Sequence, residues 1–406
     1  MQKQLYKRPY GDFVLIHDDK FHDYILNYRI LFPLNKKTNT TANLLCKMMG
    51  NQTLNSPSKK AMRERKNMLY GVKTASQTYA LGEMQVIDLQ LRAIAQRFVS
   101  QSIVDQQLNL LQEMFFMPLL NEATLKEAKE KLKRQHARLF DQNQDKALLD
   151  AFVKGTETGY LNLSSLGQAE MIDAVTLEEV KSFHQKLVAT AYKSLIASGS
   201  VTLTEAQIEK FNQGQSQAIT NPFFQSEVKK GYDETFHEGD QTELILLFDP
   251  KIKQNDFSAV AYMVYVSYLG QLPNSLLFQV VREKHSLCYS IFANRLIFDG
   301  VMTIQTSIND KNLEKTIAII QECITQTKSE IHDLESVKKK LITSLSGALE
   351  NKNSLNIRAF YNLVKQTDET IEDLQEKIAA VTEADLMAIA NQLPEPYIYA
   401  YRGGAR

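Results

Sequence analysis

Asn43, Cys46 and Lys47 stand at i, i+3 and i+4 of the apolar run TANLLCKMM (residues 41–49), so on a helix they share one face. An amide, a thiol and an ammonium gathered at one place could coordinate, attack or bind. Cys46 as a nucleophile would need a base, and no local motif supplies one, so packing is its expected role. The seven histidines (17, 22, 136, 184, 237, 285 and 332) form no i, i+4 pair. His17 and His22 flank DDKF, which reads as a hairpin turn rather than a metal site. The chain has no GxxxxGK[ST], GxGxxG or GxSxG, so nucleotide cradles and a serine nucleophile elbow are unsupported.

The bulk numbers narrow the setting. A chain of 406 residues has room for two domains. Its 44% hydrophobic content is enough to build full cores. The 47 Lys and Arg balance 47 Asp and Glu, which leaves no chain-wide basic footprint for nucleic acid. Basic runs such as KEAKEKLKRQHARL alternate with acids and read as a solvated helix face. Cys46, Cys288 and Cys323 are far apart and form no CxxC, which argues against a disulfide framework or a structural zinc site and suits a reducing compartment. There is no run of ~18 apolar residues for a membrane helix, and the start MQKQLYKRPYGDF lacks the apolar region of a signal peptide. The expectation is a cytoplasmic protein.

The elements that must carry these residues occur twice. Helix ANLLCKMMGN, SPS, a basic helix, LYG, two strand-like runs and helix QQLNLLQEMF are followed later by SAVAYMVYVSYLGQ, LPNS, LLFQVVREK, LCYS, two strand-like runs and LEKTIAIIQECI. Gly50 pairs with Gly270, Tyr70 with Tyr289, Leu125 with Leu334 and Val175 with Val381, and the order never scrambles. Each half reads as an α+β unit, a mostly antiparallel sheet with helices packed on one face. In YILNYRILF, Tyr24, Leu26, Tyr28, Ile30 and Phe32 fall on one side of the pleat. VIDLQLRAIA alternates like a strand, although its period also allows a helix. The polar stretch from Thr204 to Gly239 is the linker candidate. The expected organisation is 1–205, a linker at 206–238, and 239–406, the two halves facing each other as a clamshell.

Two such halves resemble the insulinase/pitrilysin zinc peptidases (inverzincins), over nearly the whole chain. In that family an early helix carries H-x-x-E-H, often as AHFLEHML followed by glycine and a Pro-Ser helix start; the histidines bind zinc and the glutamate is the general base. ANLLCKMM matches its flanks, but the first histidine falls on Asn43, the glutamate on Cys46 and the second histidine on Lys47. The later zinc-binding glutamate falls near Arg134 or Gln135. The resemblance therefore implies a degenerate site at Asn43, Cys46, Lys47 and Gln135, with no metal of its own. A plainer reading, that Asn43 and Lys47 are simply exposed helix residues, leads to the same absence of zinc. The stretch FQVVREKHSLCYS is similar to the family's R-E-K-x-G-L-x-Y-S, which implies that Arg282 and Tyr289 contact substrate as donors to a developing oxyanion; Ser286 replaces the usual glycine. In two-chain members of the family one subunit carries zinc and the other closes the chamber. The chain looks like that second subunit, most similar to the bacterial non-catalytic YmfF-like proteins. The expected partners are a zinc-bearing insulinase-type subunit and a peptide substrate, with a stand-alone peptide-binding or scaffold protein as the alternative.

Overall fold

The computed structural model describes residues 1–158, 160–219, 223, 226–252, 254 and 256–404. It divides into two compact units. The first takes Met1–His136, Ser165–Pro222 and Ala348–Asp368; the second takes Ala137–Ser164, Phe223–Gly347 and Glu369–Arg406.

In the first unit the elements run β1 (Gln2–Arg8), β2 (Gly11–His17), β3 (Asp23–Pro33), α1 (Asn39–Met49), α2 (Lys59–Met68), β4 (Lys73–Leu81), β5 (Met84–Ile94), α3 (Val104–Phe116) and most of α4 (Glu122–Asp141). Helix α5 (Asn143–Gly155) and β6 (Thr156–Thr158) belong to the second unit, and the first resumes with α6 (Leu177–Thr190), β7 (Tyr192–Gly199) and α7 (Glu205–Glu209). The second unit continues with β8 (Glu227–Val228), β9 (Gly231–His237), β10 (Gln241–Phe248), α8 (Phe257–Val266), a π-helical segment Phe278–Lys284, β11 (Cys288–Arg295), β12 (Met302–Asn309), α9 (Leu313–Gln326) and α10 (Leu334–Ala348). Helix α11 (Lys352–Lys365) returns to the first unit, while α12 (Ile371–Ala380), α13 (Glu383–Gln392) and β13 (Tyr397–Gly403) complete the second.

The repeat read from the sequence is a repeat of topology. The first sheet runs β1-β2-β7-β3-β5-β4 and the second β11-β12-β10-β13-β9. Reversed, the second matches the first strand for strand apart from β1, and each contains one parallel pair, β2–β7 and β9–β13, at the same place. The alternation in β3 works as the pleat requires: Tyr24, Leu26, Tyr28, Ile30 and Phe32 all enter the first core with α1, α3 and α6. The segment VIDLQLRAIA resolves as strand, in β5, up to Ile94. Val175 and Val381 are buried directly before Thr176 and Thr382, each of which closes a capping box on the following helix.

Other features differ from the sequence reading. His17 and His22 do not flank a hairpin, because β7 is inserted between β2 and β3. Tyr70 lies in the left-handed turn before β4, and the matching turn residue before β11 is Ser286, so Tyr289 sits further along than the repeat pairing implied. The two halves are not contiguous, since α5 packs on β10 and β13 while α11 packs on β2, β3 and β7. Each sheet thus gains a helix on the face opposite its main helical layer. Residues 206–238 include packed and regular structure: Ile208 and Phe211 are fully buried in the first core, and β9 is a sheet strand. Residues 220–222, 224 and 225 of that stretch lie outside the described residues.

Gly50 and Gly270 show why the repeat keeps glycine. A Cβ on Gly270 would stand 2.6 Å from the Ala293 Cβ and 2.6 Å from its backbone nitrogen on β11; one on Gly50 would meet the Ser76 Oγ of β4 at 2.2 Å. Each helix end comes this close to an edge strand. We expect Gly270→Ala to cost about 2–3 kcal/mol, because strand backbone must move, and Gly50→Ala roughly 1 kcal/mol, because a serine side chain can rotate away. Urea midpoints of the two variants check the order; equal costs would sink the argument.

Candidate functional site

Helix α1 is buried at every residue except Lys47, which is half-buried. Asn43 is 1% exposed, so it is not a surface residue. Its amide nitrogen donates to the carbonyls of Asn39 (2.9 Å) and Ser165 (2.8 Å), and its amide oxygen accepts from the Thr78 hydroxyl on β4. Both amide hydrogens are therefore spent on backbone. Cys46 is buried on the same face of the helix, and burial pushes its thiol up to about 12, so it stays neutral and is no nucleophile.

Lys47 and Gln135 are brought together. The Lys47 Nζ donates to the Gln135 side-chain oxygen at 2.6 Å, bridging α1 and α4. Burial, and in smaller part the nearby Lys131, hold the Lys47 ammonium below its usual value. The neighbouring His136 is buried, its Nε2 3.2 Å from the Leu166 carbonyl, and burial lowers its basicity. Arg134, the other position considered for a ligand, is exposed.

A zinc ion does not fit this donor set. Zinc sites need deprotonated sulfur, imidazole nitrogen or carboxylate. Here the places hold an amide with spent hydrogens, a neutral buried thiol, an ammonium and a second amide. Among the described residues no group of three or more His, Cys, Asp and Glu lies so as to hold a metal ion.

The Arg282 and Tyr289 pair sits in the second unit. The π-helical segment Phe278–Lys284 presents Arg282, whose guanidinium lies 4.3 Å from the Phe278 ring centroid and 5.4 Å from that of Tyr289. The chain then turns through Ser286 at φ 51°, and Leu287 N–H bonds back to the Val281 carbonyl. Serine thus adopts the left-handed conformation that glycine takes more readily. Tyr289 is 86% exposed on β11, an edge strand. A bulge between Cys288 and Ile291 explains this, since without it Tyr289 would share the inward parity of Ile291 and Ala293. The exposed Phe292 is on the same strand. Sequence reading missed Thr78, Ser165 and Phe278, which hold Asn43 and Arg282; only the i, i+4 spacing of Phe278 and Arg282 hinted at any of them.

Residues 174–341 match the family model described as the Peptidase M16 inactive domain. The chain is 22% identical to the probable inactive metalloprotease YmfF of Bacillus subtilis, over 96% of this chain and 95% of that protein. It is 23% identical to the uncharacterized zinc protease YmxG of the same organism, over 70% of this chain and 72% of that protein. A conserved protein from Enterococcus faecalis shares the fold with a TM-score of 0.90 at 22% identity, covering 100% of this chain and 99% of that one. The peptidase M16 inactive domain structure from Pseudomonas fluorescens does so with a TM-score of 0.82 at 18% identity and the same coverage. These matches support a non-catalytic member of the M16, or insulinase/pitrilysin, peptidase family, similar to YmfF. No helix among the described residues is long and apolar enough to cross a membrane.

Proposed function

We propose that this chain is the non-catalytic, cytoplasmic subunit of a heterodimeric M16 peptidase, binding and positioning peptide for a partner that supplies H-x-x-E-H and zinc. The observation that carries the reading is a contrast. The positions that match the family's zinc ligands hold a Lys47–Gln135 hydrogen bond, while Arg282 stays beside Tyr289, which is on an open strand edge. An unpaired edge can take an extended peptide as an added strand, its backbone groups supplying affinity. A guanidinium and a phenol beside it can donate to a carbonyl oxygen as it gains charge.

The test mixes the pure chain with a zinc-bearing M16 peptidase from the same genome. The chain alone is expected to be inert and the mixture to cleave peptides. Arg282→Ala is expected to lower the mixture's kcat/KM by about 100-fold, the typical effect of losing one oxyanion donor. Metal-dependent hydrolysis by the chain alone would overturn the proposal. A mixture that binds peptide without cleaving it would move the function to stand-alone peptide binding.

A further inference from the structure

The internal repeat shows a place that one unit fills and the other leaves open. In the first unit, the residues after β7 cover the space between α3 and β2. Ile208 and Phe211 are fully buried there, and the Phe211 ring packs 6.2 Å from Phe13 and 5.0 Å from Tyr28. Between them Lys210 is fixed at three points: its Nζ donates to Asp105 at 2.6 Å and to Asn109 at 3.0 Å, and its carbonyl accepts from Gln112 at 3.0 Å.

Helices α3 and α9 correspond residue for residue, from Val104 and Leu313 onward. Asp105 corresponds to Glu314, Leu108 to Ile317, Asn109 to Ala318 and Gln112 to Gln321. The parallel strand register sets Tyr232 and Glu234 beside Ile398 and Ala400, as it sets Phe13 and Leu15 beside Leu195 and Ala197. Tyr232, Glu234, Glu314, Ile317, Ala318 and Gln321 line a groove of about 770 Å³. No described residue fills it as Phe211 fills its counterpart. Glu314 makes no ion pair, and the Gln321 amide makes no hydrogen bond, among the described residues.

We infer that this groove is a docking site for one amphipathic helical turn of a partner polypeptide. The turn carries a lysine with an aliphatic residue two before it and an aromatic residue directly after it, the pattern of Ile208, Lys210 and Phe211. The lysine pairs with Glu314, its carbonyl takes the Gln321 amide, and the apolar side chains lie on Ile317, Ile398 and the Tyr232 ring. The groove's floor is more polar than its counterpart. Tyr232 bonds to Glu234, and Arg402 bonds to Asp310 and Glu234. That network keeps an empty groove compatible with water, which suits a partner that comes and goes. A second copy of the chain cannot supply the turn from residues 205–211, because Ile208 and Phe211 are buried in their own unit.

A fluorescently labelled peptide of sequence TEAQIEKFNQ, residues 204–213, serves as the probe, read by anisotropy against the full chain. Saturable binding is expected in the range of about 10⁻⁴ M. Glu314→Lys should weaken it about tenfold, by losing one exposed pair and adding repulsion. Ala318→Trp should abolish it by filling the groove. Both sites are exposed, so both variants should fold, which circular dichroism checks. Absence of saturable binding, or binding untouched by both variants, overturns the inference. So does binding lost on Asp105→Lys but kept on Glu314→Lys, since the peptide would then be exchanging into the first unit.

Discussion

Arg29→Ala is expected to destabilise the first unit by about 3–5 kcal/mol, the largest single-residue effect we foresee on this chain. Arg29 and Asp88 face each other across β3 and β5, 3% exposed each, with the guanidinium Nε 3.1 Å from the carboxylate. The rest of the guanidinium is used as well. Nη1 donates to Asn356 of α11 at 2.8 Å, and the group lies 4.6 Å from the Phe360 ring centroid. Asn27 donates to the other oxygen of Asp88, and Asn356 donates to the Ile196 carbonyl and the Ser198 hydroxyl. Removing Arg29 strands a buried carboxylate and unties α11 from the sheet. Arg29→Met with Asp88→Leu should recover part of the loss by removing the charge, but only part, because Asn27 and Asn356 lose partners. The urea midpoint followed by far-UV circular dichroism reads both effects. A single variant as stable as the parent would mean that the pair contributes nothing net.

The same cluster marks the limit of what the sequence discloses. Period-two alternation assigns Tyr24, Leu26, Tyr28, Ile30 and Phe32 to one face of β3 correctly, because a pleat admits no other arrangement. The other face sets Asn27 and Arg29 between Ile25 and Leu31, and all four are buried. What buries Arg29 is α11, from more than three hundred residues away, and periodicity names the apolar stripe of a helix without naming the sheet it will meet. The insertion of β7 between β2 and β3 is hidden for the same reason: strand order is set by long-range pairing. The candidate site was legible where chemistry is local. Asn43, Cys46 and Lys47 share a face by spacing alone. The bulge that turns Tyr289 outward, and the π-helical geometry under Arg282, depend on hydrogen bonds that residue types do not encode singly. Polarity also misled at residues 206–238, where two buried apolar side chains, Ile208 and Phe211, outweigh many glutamines and lysines.

Four substitutions together, Asn43→His, Cys46→Glu, Lys47→His and Gln135→Glu, are expected to give a chain that binds one zinc ion at micromolar concentration or tighter, where the parent binds none. The Lys47–Gln135 contact of 2.6 Å places those two positions within one coordination sphere, and position 43 stands one helical turn from 47 on the same face. Removing the ammonium is the decisive change. A unit charge about 4 Å from a divalent ion opposes it by roughly 8 kcal/mol at an effective dielectric of about 20. The surroundings of position 43 suit an imidazole, since the Ser165 carbonyl that accepts from the Asn43 amide can take a histidine's second N–H and fix its tautomer. Loss of the Thr78 and Asn39 bonds should lower stability by about 1–3 kcal/mol without metal, so zinc should raise the melting temperature of the variant and leave the parent unmoved. Metal stoichiometry after dialysis, with chelator competition for affinity, is the measurement. Moving the last substitution from Gln135 to Arg134 should weaken binding, because Gln135 and not Arg134 is in contact with Lys47. Equal affinity from both versions, or none from either, would mean that the later ligand position has been assigned to the wrong turn of α4.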